Sequence, residues 1–143
     1  MPTKYSEYTK IATTLNNKFI GTQDLQRNTL QNANILDYSE KVNSLGDITG
    51  SVTIDMSIGN IVTANVTGNI TFTFTNPSPA GTHTGFMIYL SNGGSHTLTW
   101  PSNVKWSNGI NPTLTTTGID ILTFTTKDIG VTWNCLLLGL DNK

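Results

Sequence analysis

From residue 46 onward, apolar and polar side chains alternate with a period of two, as strands that bury one face do. Val52, Ile54, Met56 and Ile58 are separated by Thr53, Asp55 and Ser57, which predicts a first strand. Residues 61–66 and 69–75 predict two more, the second with Ile70, Phe72 and Phe74 on one side. The pairs Gly59-Asn60 and Gly68-Asn69 predict the turns between them. After the loop signal Asn76-Pro77-Ser78-Pro79-Ala80-Gly81, residues 86–91 are apolar on both faces, so a strand covered on both sides is expected. Asn92-Gly93-Gly94-Ser95 predicts a tight hairpin into His96, Leu98 and Trp100. Pro101 ends that strand, residues 104–106 form a short extended piece, and residues 119–126 are strongly strand-like. Lys127-Asp128-Ile129-Gly130 then turns the chain into a last strand, with Val131, Trp133, Cys135 and Leu137 on one face and Leu136 and Leu138 on the other. About eight short strands at this spacing predict an all-β domain over residues 46–143, a jelly-roll-like β-sandwich. An edge strand as apolar as residues 135–140 would invite aggregation in a monomer, so this one is expected to be central or covered by a neighbouring subunit.

Residues 1–45 follow a different pattern. They hold most of the charge, and their apolar side chains are thinly spaced. Ile11, Leu15 and Phe19 recur every four residues, the interval of a short helical turn or two, while Leu25 and Leu30 fall at about five. The expected structure is an extended, partly helical N-terminal arm. It has too few apolar residues to bury a core, so it should order against a partner, with Ile11, Leu15, Phe19, Leu25 and Leu30 as its assembly contacts.

Composition sharpens the all-β reading. Only 36% of the 143 residues are hydrophobic and 12% charged. Thr, Asn, Ser and Gly fill the gap: Thr favours a pleated surface, and Asn and Gly tolerate the positive φ of tight turns. A net charge of −1 sets up no field that would gather phosphates or anionic lipid, so nucleic acid and membrane are not expected partners. No stretch approaches the roughly 18 apolar residues of a membrane span, and no leader pattern opens the chain. A soluble, unprocessed protein made in a reducing cytoplasm is expected. Cys135 stands alone, so no intrachain disulfide forms, and its strand context suits a small core residue.

No catalytic or metal-binding spacing occurs. His83 and His96 lack a partner at ligand spacing, and no cofactor or metal is expected. Asp120 and Asp128 suit turn capping better than paired acid/base chemistry, and Asp128 should accept from backbone N–H groups of its own hairpin. Ser91, Ser95 and Ser102 lack the Gly-x-Ser-x-Gly setting of an esterase nucleophile. The aromatic residues are the one concentrated signal. Trp106, Trp100 and Tyr89 could form a platform on which a sugar stacks. Packing is the favoured role for Trp100 and Trp133, since one ends a strand at Pro101 and the other alternates with Val131 and Cys135.

The run Leu98-Thr99-Trp100-Pro101-Ser102-Asn103-Val104-Lys105-Trp106, then Gly109, Pro112-Thr113-Leu114-Thr115, Thr117-Gly118-Ile119-Asp120 and residues 128–133, resembles a β-sandwich module at the C-terminal end of many tailed-bacteriophage virion proteins. These include tail fibres, head fibres and capsid decoration proteins. The resemblance covers residues 50–143 and departs at Ile129, where the family commonly carries a second Gly of an Asp-Gly-Gly hairpin. It implies a non-enzymatic virion part, usually assembled as a homotrimer, with no catalytic residues. Fibres usually place a long repeated shaft before this module. Here a short arm precedes it, which suits a capsid decoration (cement) protein or fibre adaptor docking on the major capsid or another virion protein. The alternative is a receptor-binding module that recognises host-surface carbohydrate.

Overall fold

The computed structural model describes Thr22, Leu25 and residues 29–143. The chain divides into two units, Met1–Asp37 and Tyr38–Lys143. In the first, the described residues form neither helix nor strand, and Leu25 and Leu30 are exposed. Ile11, Leu15 and Phe19, with the helical turn expected around them, lie outside the described residues.

The second unit is all-β, as the alternation predicts. One sheet runs in the order β1 (Val42–Asp55), β2 (Ile61–Thr75), β3 (Thr84–Ser91), β6 (Ile119–Thr126), β7 (Trp133–Asn142) and β5 (Val104–Trp106), with the short β4 (Leu98–Thr99) paired to β2. There are seven strands rather than about eight, because residues 61–66 and 69–75 belong to one strand. Gly68-Asn69 is therefore a kink inside β2, not a turn between strands. The first strand also begins earlier than expected, at Val42, within the stretch read as arm.

The pairing departs from a jelly roll, whose neighbours are antiparallel. β1 pairs with β2, and β2 with β3 and β4, all in parallel; only β3–β6 and β6–β7 are antiparallel. Connection length shows what parallel pairing demands. Val42 lies opposite Ile61, yet only residues 56–60 join the two strands. A straight strand of β1's length would span roughly 43 Å at ~3.3 Å per residue, and the connection can reach only about 22 Å. β1 must therefore bend back towards its own start. It does so at two register shifts, between Ser44 and Gly46 and between Ile48 and Gly50. Both glycines have positive φ, 66° and 72°, which L side chains rarely adopt.

The first strands thus climb as turns of a coil. Asp47, Asn65 and Asn92 stack at one corner of three successive turns: Asn92 Nδ2 donates to Asn65 Oδ1 at 2.7 Å, and Asn65 Nδ2 to Asp47 Oδ1 at 2.8 Å. The segment from Asn92 to Ser95 rounds this corner instead of closing a hairpin, because β4 pairs with β2 and not with β3. A local Asn-Gly-Gly signal fits both outcomes. Which one forms depends on the long-range partner.

Bending gives the sheet two layers around one core. The first halves of β1 and β2 lie beside β3, β6 and β7; their second halves, with β4, face them. Phe74, from the second half of β2, meets Phe86 of β3, Phe124 of β6 and Trp133 of β7 at centroid distances of 4.9, 5.2 and 5.3 Å, each edge to face. Sandwich packing is thus achieved by one folded sheet. Ile54, Val62, Ile88, Leu90, Leu122 and Phe124 are fully buried between the layers.

Candidate interaction surfaces

Alternation along β3 and β6 buries Phe86, Ile88, Leu90, Leu122 and Phe124 and sends Met87, Tyr89, Ile121 and Thr123 to the opposite face. The register places Thr123 beside Leu136 of β7, so that side chain joins the same outer face. β5 covers the edge of β7 only as far as Cys135. Beyond it, Leu136, Leu138 and Leu140 are 54%, 53% and 48% exposed. No charged side chain occupies an outward position of β3, β6 or β7 up to Leu140. The two-sided apolar character of residues 86–91 and 135–140 is real; Met87 and Tyr89 are half-buried, and past Cys135 the side chains of Leu136, Leu137, Leu138 and Leu140 are all exposed.

The tryptophans divide between roles. Trp133 is buried, as its alternation with Cys135 predicts. Trp100 stacks on Phe72 at 4.4 Å and 14°, and Trp106 meets Trp100 edge-on at 5.8 Å. Both are half-buried against the core cluster. Tyr89 projects from the outer face of β3 into a separate shallow groove beside Ser44, Asp47, Thr63 and Asn65. The structure therefore brings Trp100 and Trp106 together and leaves Tyr89 apart, so the three do not form one platform.

The carboxylates cap turns. Asp128 Oδ1 accepts from the Thr132 backbone N–H at 2.9 Å and the Thr126 hydroxyl at 2.7 Å, which holds its carboxyl below the ordinary value. This is the expected cap of the β6–β7 hairpin. Asp55 is likewise lowered, first by the Asn76 amide at 2.9 Å and then by the Ser57 hydroxyl and backbone N–H. Asp120 exceeds its expected role. Fully buried, it accepts from Thr115 N at 2.7 Å, Thr115 Oγ1 at 2.9 Å and Asp141 N at 3.1 Å, tying the loop before β6 to the end of β7. Burial pushes the Cys135 thiol up to about 12, so it stays protonated near neutrality.

No family model matches the chain, and no curated protein or solved structure is significantly similar to it. His83 and His96 are both exposed, His96 in the corner loop and not in a strand. Among the described residues, no group of three or more His, Cys, Asp or Glu side chains is placed to hold a metal ion, and no helix is long and apolar enough to cross a membrane. The exposed edge of β7 with its neighbouring outer face is the strongest surface feature.

Proposed function

We propose that this protein is a non-enzymatic structural component of a tailed-bacteriophage virion, a capsid decoration (cement) protein or fibre adaptor that works by self-association as a homotrimer and by docking on the particle. The observation that carries self-association is the set of exposed apolar side chains at the end of β7, Leu136, Leu138 and Leu140, next to an outer face on which Met87, Tyr89, Ile121 and Thr123 carry no charge. Charged residues are depleted at interface cores, and a charge-free face meets a copy of itself without repulsion. An exposed apolar surface of this kind marks an interaction site. The virion assignment rests on the resemblance of residues 98–133 to the bacteriophage module. The arm, residues 1–45, is the docking segment in this reading.

Sedimentation velocity of the purified chain at micromolar concentration tests it. A species of three times the 15.5 kDa chain mass is expected. A single monomeric boundary rejects self-association, and with it the proposed mode of action.

A further inference from the structure

A cavity of about 570 Å³ opens at the loop end of the sandwich, where Pro77 after β2, Pro101 to Asn103 after β4 and the β6–β7 turn converge. This volume is within the range of small-ligand sites, about 300–1,000 Å³. Phe72, Phe74, Pro77, Pro101 and Trp133 supply its apolar surface, and no charged side chain lines it.

Its polar groups are few and directed. Trp133 is 2% exposed, and its indole N–H donates to no group of the described chain. That nitrogen is not sealed in the core: among the described residues, Asn43 Nδ2 is the one buried side-chain nitrogen or oxygen without a partner. It lies beside Gly130, which also lines the cavity. Asn103 spends both amide protons on the turn, donating to Gly130 O at 2.7 Å and Val131 O at 3.2 Å, and its Oδ1 has no partner. Thr73 and Ser102 add exposed hydroxyls at the rim.

Ile129 also borders the cavity and, among the described residues, is the one β-branched residue with a positive φ. It holds φ 60°, a left-handed conformation that a β-branched residue resists, while remaining 52% exposed. Strain of this kind collects at binding sites.

We propose that this cavity binds a neutral sugar residue. A pyranose offers an apolar C–H face to Phe74 and the prolines and vicinal hydroxyls to the Trp133 N–H and Asn103 Oδ1. A wholly apolar occupant would leave both polar groups unpaired. A charged one would find no counter-charge. The site uses none of the exposed leucines of β7, so it stands or falls separately from self-association.

The test is an NMR titration of the full-length ¹⁵N-labelled chain with glucose, galactose, mannose and N-acetylglucosamine. The sequence holds three tryptophans and so three indole N–H signals, assignable through Trp133→Phe. At least one sugar is expected to shift the Trp133 signal saturably while the Trp106 signal stays in place. Ser102→Trp, at an exposed rim position, should weaken that response at least about tenfold without changing the melting temperature. The proposal is overturned by no saturable shift with any of the four sugars, by a response that Ser102→Trp leaves undiminished, or by a Trp133 signal that answers only to an apolar probe such as free indole.

Discussion

The folded sheet has two outward faces, and they differ in kind. On the layer of β3, β6 and β7, Met87, Tyr89, Ile121 and Leu136 share the outward positions with uncharged Ser91, Thr123, Thr125 and Asn134, and Leu138 and Leu140 are exposed near the end of β7. On the layer made by the second halves of β1 and β2 with β4, the register lines up Ser51, Thr71 and Thr99 in one row and Thr53 with Thr73 in the next, all exposed. Both faces belong to one sheet and share one core. A Thr face meets water with its hydroxyls, whereas a Leu face gains roughly 25 cal/mol for each Å² removed from water. This contrast is the reason self-association is proposed for the β3–β6–β7 face.

Interior substitutions sharpen this comparison because they should strike both layers alike. Trp133 sits where the layers meet, against Phe74 and Phe86. Trp133→Ala should cost about 3–5 kcal/mol by leaving a large cavity, read from urea unfolding. A loss below about 1 kcal/mol would mean that the two layers do not depend on their shared core.

Asp120 acts nearer one face, since it anchors the end of β7. Asp120→Ala leaves the Thr115 and Asp141 N–H groups unpaired and should cost about 2–4 kcal/mol. It should also raise amide exchange at the end of β7 ahead of β1. Uniform loss of protection would break the assignment of Asp120 to the apolar layer.

Ile129 should respond in the opposite direction. Ile129→Gly relieves the left-handed penalty of about 1–2 kcal/mol but adds unfolded-state entropy, a cost of opposite sign and smaller size. A net gain of about 0.5–1 kcal/mol in stability is expected. A destabilised variant would show that the exposed isoleucine makes contacts worth more than its strain.

Acid should act weakly and on turns rather than faces. Asp55 and Asp128 both ionise below the ordinary value of 3.8 in the folded chain. Each therefore contributes stability that is fully present above that value and is lost as pH falls through the lowered one. The melting temperature should hold steady from pH 7 to about 5 and decline below about 4. An unchanged decline in the double variant Asp55→Asn/Asp128→Asn would place its origin elsewhere.

Much of the fold was legible because burial writes itself into the sequence with period two. The inward sets Ile70, Phe72 and Phe86, Ile88, Leu90 follow directly, as does the Asp128 cap. Strand partners were not legible. Gly68-Asn69 and Asn92-Gly93-Gly94-Ser95 carry strong turn signals, yet one is a kink and the other a corner of the coil, since backbone propensity is blind to which strand lies alongside. The parallel rise of β1, β2 and β3 had one trace in the sequence, the corner residues Asp47, Asn65 and Asn92, but their spacing is too irregular to show as a repeat. For the surfaces, the two-sided apolar strands pointed to the β7 face. The loop-end cavity was invisible because it gathers Phe74, Pro77, Asn103, Ile129 and Trp133 from separate parts of the chain.

Light scattering on two matched double variants shows whether copies of the chain cover the apolar face and leave the Thr face free. Leu136→Lys/Leu138→Lys places two charges on the β7 face, and Thr71→Lys/Thr73→Lys places two on the opposite face. A monomer of 15.5 kDa is expected for the first and an unchanged trimer for the second. Equal masses for the two variants, or dissociation only on the Thr face, would contradict self-association through the apolar face.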